Sequence, residues 1–448
     1  MKSEQLHKQK VLVVGLGVTG WSVVRYLQAN DVAFAVADEK AQPGKDTYAL
    51  GEAQLHTQFD AATFTAVGVI VLSPGVPRSH PALVAALANG VKVIGDIELF
   101  ASAVNKPVIA VTGSNGKSTV VSWMAHILAQ TQIDAVLCGN IGKPALDSIN
   151  LAADVYVLEL SSYQLESTES LAPLAASVLN ISDDHMDRYD SLEHYAQVKR
   201  HIYNNCEHVI ANRDDARTWP ISDTVSASFS ANSETYFAVD TNNASDYRCI
   251  DRDNKCWVCK GDKELLVLSS TRLPGRHNRA NALATVALLA PLDIDQNILQ
   301  ASINTFAGLP HRTELVAELN QVLWYNDSKG TNIDACEKAI EAMPGPVVLI
   351  AGGLGKGADF RALRPAVSKC VKALVLIGRD RQLMAEALQD LADVRFCDSM
   401  NDAVLAASEI AVAGDAVLMS PACASFDMFD NFEQRGIRFC EAVQALAA

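Results

Sequence analysis

Short runs of β-branched and aliphatic residues recur along the chain, each followed by a stretch with helical spacing of its apolar positions. That alternation predicts parallel sheets of the α/β class. Residues 11–14 form a β-rich run, Gly15-Leu-Gly17-Val-Thr-Gly20 follows, and a helical pattern continues to Leu27. Residues 32–37, 69–72 and 91–94 supply further strands, so 1–96 reads as one Rossmann-like domain. After Asn105-Lys106-Pro107 the pattern restarts with a strand at 108–111, a helix at 118–129 and buried strands at 155–160 and 177–181. Residues 220–270 turn polar and Ser/Thr/Asn-rich but keep β-type runs such as 264–268, which predicts an antiparallel excursion inside a second domain, 97–308. An Ala/Leu helix at 280–290 precedes Gly308-Leu-Pro310, which reads as a hinge, and 95–107 reads as another. In the third domain, 309–448, strands at 347–350, 373–377 and 416–419 alternate with helices as a second Rossmann-like sheet.

Composition narrows the function classes. Hydrophobic residues make up 49% of the 448 positions and charged residues 20%, enough apolar material for a core in each domain. A net charge of −15 argues against a nucleic-acid partner, which needs clustered Lys and Arg. No run reaches the ~18 apolar residues of a membrane span, and the polar start lacks the apolar core of a signal peptide. The ten cysteines form no framework, which points to reduced thiols and a cytoplasmic setting. Cys256-x-x-Cys259 is half of a zinc pattern with no second half nearby, so zinc is not expected.

The sharpest chemistry lies in Thr112-Gly113-Ser114-Asn115-Gly116-Lys117-Ser118-Thr119, between a predicted strand and a predicted helix. Such a loop turns backbone N–H groups inward, and the helix N-terminus adds positive potential, so it suits a polyphosphate. Lys117 supplies a point charge for the β- and γ-phosphates, and the Ser118 hydroxyl suits Mg²⁺. The loop is shorter than the common ATP pattern, because the position of that pattern's first glycine, 111, holds valine. Glu159 ends one predicted strand and His185 follows another, at carboxyl ends where open α/β sheets place ligands; either alone is equally a structural residue. Lys199 shares the apolar face of a predicted helix with Leu192, Tyr195, Ala196, Ile202 and Tyr203. A lysine there is costly as a buried cation, the alternative being a side chain that snorkels to solvent.

The same chain carries Gly139-Asn140-Ile141-Gly142, Glu159-Leu-Ser-Ser-Tyr-Gln-Leu165, Asp184-His185-Met186-Asp187-Arg188-Tyr189 and Gly275-Arg-His277-Asn278-x-x-Asn281. Further on come Gly308-Leu-Pro-His311-Arg312, Asn326-Asp327-Ser328-Lys329-Gly-Thr331-Asn332, Ser420-Pro-Ala-Cys-Ala-Ser425 and Asn431-Phe432-Glu433-Gln434-Arg435-Gly436. With these motifs the chain resembles the Mur ligase superfamily over essentially its whole length. The resemblance implies a UDP-binding first domain, an ATP-binding central domain and an amino-acid-binding third domain. It implies an ATP-dependent amide ligase that adds D-glutamate to UDP-N-acetylmuramoyl-L-alanine through an acyl phosphate, and that works as a monomer on small molecules.

The resemblance also assigns residues. Two Mg²⁺ ions are expected on Ser118, Glu159, His185 and Lys199, the last as a carbamate formed with CO₂. Lys117, His185, Lys199 and Lys329 carry the catalytic expectation. ATP is expected on Gly113, Ser114, Asn115, Gly116, Lys117, Ser118 and Thr119, with Asn278, Asn281, His311, Arg312 and Asp327. The acceptor is expected at Val18, Thr19, Asp38, Gly75, Asn140 and Ser161, and D-glutamate at Thr331, Lys356, Ser425, Phe426 and Phe432.

Rival readings stay open on the residues themselves. Gly15-x-Gly17-x-x-Gly20 followed by Asp38 also fits an NAD fingerprint, against which the separate ATP loop weighs. A sister ligase would share the ATP loop and take L-alanine, a diamino acid or a dipeptide. A folylpolyglutamate synthase would lack the first domain, and a nucleotide-binding regulatory module would not need the metal ligands.

Overall fold

Strand β1 (Val11–Val14) is buried at all four positions, as a central parallel strand covered on both faces requires. It pairs in parallel with β2 (Phe34–Ala37) and, on its other side, with β4 (Val69–Leu72); β3 (Gln54–His56) and β5 (Lys92–Ile94) complete the order β3-β2-β1-β4-β5. The winding reverses between β1 and β4, which opens a crevice beyond their carboxyl ends, beside the 15–20 and 73–75 loops. The computed structural model describes residues 3–41, 49–184, 186, 188–220, 233–240, 245–253, 255–268, 273 and 275–446. Its contacts divide the chain into two units. One is Met1–Ile181, His185–Val267 and Asn281–Ile303; the other is Ser182–Asp184, Leu268–Ala280 and Asn304–Ala448.

The first unit holds a second sheet. Its strands are β6 (Val108–Thr112), β7 (Ala135–Gly139), β8 (Val155–Glu159), β9 (Ala175–Val178) and β10 (His208–Asn212), then β11 (Ser233–Ala238), β12 (Tyr247–Arg252), β13 (Lys255–Lys260) and β14 (Lys263–Val267). The order is β14-β13-β12-β11-β10-β9-β6-β8-β7. Among the described residues of this sheet antiparallel pairing is confined to β12–β13 and β13–β14, while β11 joins both β10 and β12 in parallel. The polar stretch therefore extends the same sheet, and only its far end is the antiparallel excursion expected from the sequence. Cys256 and Cys259 lie buried on β13.

The two sheets of this unit share a core. Val11, Val13, Val36 and Val71 of the first belong to one apolar cluster with Val108, Leu158 and Val178 of the second, and the cluster reaches from Leu6 to Val209. The opposite face of the first sheet closes separately on Leu12, Val14, Phe64, Ile70 and Leu83. The segment expected as a hinge at 95–107 instead contains the helix Asp96–Ala103, with Ile97, Leu99 and Phe100 fully buried. Three large apolar side chains in four positions carry more surface than a solvated loop retains.

Asp96 opens that helix and is 2% exposed. Its Oδ2 accepts a hydrogen bond from Gln164 Nε2 at 3.2 Å, and its Oδ1 has no partner among the described residues. Burial pushes this carboxyl up to about 6 from 3.8. A folded-state value above the unfolded one means that the folded protein holds the proton more tightly, so the penalty is absent below about pH 4 and complete above about pH 6. Roughly two units correspond to at most about 3 kcal/mol. Asp96→Asn is therefore expected to melt higher than the parent at pH 7.5, with the gain shrinking to nothing near pH 4. Thermal melts of both proteins across that range measure it, and a lower melting temperature for the variant at pH 7.5 would refute it.

The second unit contains β15 (Glu314–Leu319), β16 (Val322–Asn326), β17 (Val347–Gly352), β18 (Val371–Ile377), β19 (Asp393–Phe396) and β20 (Ala416–Met419), in the order β15-β16-β20-β17-β18-β19. All neighbours are parallel except the β15–β16 hairpin at the edge. The winding reverses between β17 and β20. The loops that follow them meet, Leu354 N donating to Ala424 O at 2.9 Å and Ala424 N to Leu354 O at 3.0 Å.

Candidate active site

The phosphate loop joins β6 to the helix Lys117–Leu128, which starts at Gly116 without a side-chain cap. Gly116 has φ +84°, and a Cβ there would stand 2.6 Å from Asn281 Oδ1, so only glycine lets the loop turn beneath that amide. Asn180, two residues beyond the neighbouring strand β9, clamps the loop from both sides. Its Oδ1 accepts from Asn115 N at 2.8 Å, its Nδ2 donates to Asn115 O at 3.0 Å, and its carbonyl accepts from Ser114 N at 2.9 Å. Lys117 Nζ bonds back to the carbonyls of Gly113 (2.7 Å) and Ser114 (2.9 Å). Ser118 and Thr119 are buried in the first helical turn.

Glu159 ends β8 beside this loop. Its Oε1 accepts from Asn140 Nδ2 at 2.8 Å, while its Oε2 is buried without a hydrogen-bond partner among the described residues. An orphaned carboxylate oxygen is costly unless something cationic completes it. Beside a serine hydroxyl and a polyphosphate loop, hard-oxygen donors of this kind fit Mg²⁺. Among the described residues no group of three or more His, Cys, Asp or Glu is placed to hold a metal, and His185 lies outside them.

Lys199 is 1% exposed on the helix Leu192–Arg200, so its side chain does not snorkel. Its Nζ donates to Gly113 O at 3.0 Å and Thr112 Oγ1 at 3.2 Å, and sits 4.7 Å from the Tyr195 ring centroid. Periodicity thus gave its burial, and the fold adds its place directly behind the phosphate loop. Ser161 lies nearby in sequence from Glu159 and forms a reciprocal cap with Gln164, the residue that also holds Asp96.

At the first sheet, Ser73 Oγ donates to Gly15 O at 2.7 Å, and a Cβ on Gly20 would fall 1.8 Å from that same carbonyl. The Asp38 carboxylate accepts from the backbone N–H groups of Leu16 and Lys40, which closes the loop. Val18 and Gly75 are exposed at the crevice and Thr19 is half-buried. Arg188, to which the sequence gave no role, pairs with Glu166 at 2.7 Å and donates to Pro74 O at 3.0 Å, tying the 73–75 loop to the central sheet.

The second unit gathers a different set. Lys329 Nζ lies 3.9 Å above the Phe432 ring, and Thr331 is half-buried on the same loop. Ser425 is buried, Phe426 is 67% exposed, and Lys356 is exposed with φ +50°. Asp327, expected near a ribose, faces inward: its carboxylate accepts from Thr313 N at 3.0 Å and Ser420 Oγ at 2.7 Å, and burial pushes it up to about 6. Its observed contacts fasten the loop that carries His311 and Arg312. His311 Nδ1 lies 2.8 Å from Asn326 Nδ2, and Arg312 is half-buried. Asn278 is buried at the start of the helix Arg276–Leu289.

Known domain families match the chain in the same order. The profile described as Mur ligase MurD-like, N-terminal domain covers residues 9–95; Mur ligase middle domain covers 111–289; and Mur ligase, glutamate ligase domain covers 311–423. The chain belongs to the Mur ligase family. A Mur ligase relative from Methylobacillus flagellatus, named UDP-N-acetylmuramoylalanine–D-glutamate ligase, is 45% identical over 99% of this chain and 98% of its own length. A protein of the same name from Coxiella burnetii is 41% identical over the full length of both. Among solved structures, the pseudomurein peptide ligase type C of Methanothermus fervidus has a TM-score of 0.63 at 18% identity, covering 98% of this chain and all of that one. UDP-N-acetylmuramate-alanine ligase from Thermotoga maritima has 0.60 at 19%, with the same coverage. Those two likenesses concern the fold of this Mur ligase.

Proposed function

We infer that this Mur ligase is an ATP- and Mg²⁺-dependent acid–amino-acid ligase that adds D-glutamate to UDP-N-acetylmuramoyl-L-alanine in peptidoglycan precursor synthesis, working in the cytoplasm as a monomer. The observation that carries the chemistry is the phosphate loop with the unpartnered Glu159 oxygen and the buried Lys199 beside it. The substrate assignment rests on full-length relatives that bear this ligase name. No helix among the described residues is long and apolar enough to cross a membrane.

In this reading residues 1–96 take the UDP end of the acceptor at Val18, Thr19, Asp38 and Gly75, and Asn140 and Ser161 take its muramoyl-alanine part. Residues 97–308 take ATP on Gly113 to Thr119 with Asn278 and Asn281, helped by Arg312 on the loop that Asp327 fastens. Residues 309–448 take D-glutamate on Thr331, Lys356, Ser425, Phe426 and Phe432. Ser118, Glu159, His185 and a carbamylated Lys199 would hold two Mg²⁺ ions. Bound Mg²⁺ supplies charge neutralisation on the phosphates.

A carboxylate oxygen of the acceptor's alanine attacks the γ-phosphorus, the bond to the β-phosphate oxygen breaks, and ADP leaves. The amine of D-glutamate attacks the resulting acyl phosphate, phosphate leaves, and the amine gives up a proton. Lys117 exchanges the loop carbonyls for phosphate oxygens and offsets the growing charge. Lys329 meets the charge on the acyl phosphate.

The test offers UDP-N-acetylmuramoyl-L-alanine, ATP and Mg²⁺ with D-glutamate, L-glutamate, L-alanine or a diamino acid, and measures phosphate release. Release is expected with D-glutamate alone; release only with one of the others would overturn the assignment.

A further inference from the structure

Arg435 breaks three rules at once. It lies in the first turn of the helix Phe432–Leu446, where the helix dipole disfavours a cation. It is 1% exposed, and burial pushes the guanidinium down to about 10. No carboxylate of the described residues lies within ion-pair distance; Asp427 and Asp327 act on it only from further away. Residues that violate local preferences without local compensation concentrate at functional sites.

Its bonds say what it holds. Nε donates to Ser328 Oγ at 2.9 Å, one terminal nitrogen to Ser328 O at 2.7 Å, and the other to Cys423 O at 3.1 Å. Ser328 Oγ in turn donates to Phe432 O at 2.8 Å, closing a ring through the start of the helix. The guanidinium thus ties the loop after β16 to the loop after β20. Lys329 and Thr331 lie on the first of these loops and Ser425 on the second. Only a planar fork of donors spans two carbonyls and a hydroxyl at once; a lysine ammonium does not reproduce it.

We propose that Arg435 is a positioning residue for the amino-acid substrate, locking these two loops into one fixed surface that receives a substrate carboxylate. The proposal deepens the D-glutamate reading and rests on it. Lys329 and Thr331 then stand on a loop already fixed before the substrate arrives, and rigid loops cut the ordering cost of binding an anion.

The experiment measures KM separately for D-glutamate, ATP and the UDP-linked acceptor, with kcat and melting temperature, in the parent, Arg435→Lys and Arg435→Gln. In Arg435→Gln, KM for D-glutamate is expected to rise about tenfold or more, with the other two KM values within about twofold. Arg435→Lys is expected between parent and Arg435→Gln. A D-glutamate KM within about twofold of the parent in folded Arg435→Gln, or all three KM values rising together, would overturn the proposal. Should Arg435→Gln not fold, Ser328→Ala, which removes the Nε bond and leaves the cation, is judged by the same split. If the parent turns over a different amino acid, the D-glutamate reading falls, and the KM for that amino acid decides the role of Arg435.

Discussion

Lys199→Ala is expected to lower ligase turnover by about a thousandfold or more, with partial recovery on adding a small carboxylate such as acetate or propionate. The ammonium now braces Gly113 O and the Thr112 hydroxyl behind the phosphate loop, with Tyr195 alongside. A lysine that serves only as that brace acts through its positive charge, and a small alkylammonium would then restore activity. A lysine that serves as a carbamate acts through an anionic oxygen, and only a carboxylate fits the gap. Turnover of the variant in each additive separates the two, and full activity without any additive would sink both.

Glu159→Gln should lower kcat by about a hundredfold and raise the Mg²⁺ concentration needed for half-maximal rate. The amide keeps the bond from Asn140 but no longer offers the second, unpartnered anionic oxygen. Stability is expected to hold or rise, because a buried charged oxygen without a partner is replaced by a neutral group. Activity and melting temperature therefore move apart, which a damaged fold does not produce. An unchanged Mg²⁺ requirement would refute the assignment of Glu159 to the metal.

The legible parts of the fold were those with a local physical mark. β1, β4, β6 and β20 are buried at every position and stand out as apolar runs. β3, β15 and β19 have half-exposed or exposed positions and mixed polarity, so they leave little hydrophobic trace. The phosphate loop announced itself through two glycines and a lysine at fixed offsets, and the depth of Lys199 through its helical face. Asn180 carries no such mark, because its partner Asn115 is 65 residues away and only the β6–β9 pairing brings them together. Asp327 turned inward for the same kind of reason: Thr313 and Ser420 lie 14 and 93 positions away, and chain neighbours reveal nothing of them. Arg435 stands inside the 431–436 motif, yet its burial and the two loops it joins follow only from the three-dimensional fold.

The core shared by the first two sheets has a consequence for synthesis. One face of the first sheet is sealed by its own helices, but the side chains of Val11, Val13, Val36 and Val71 belong to a cluster completed by residues as distant as Val209. At a translation rate of roughly 5–20 residues per second, that partner surface leaves the ribosome on the order of ten seconds after β5 does. During that interval the nascent first domain can cover this face only with its own Val23, Val24 and Leu27, and the rest of the cluster closes when the second domain arrives.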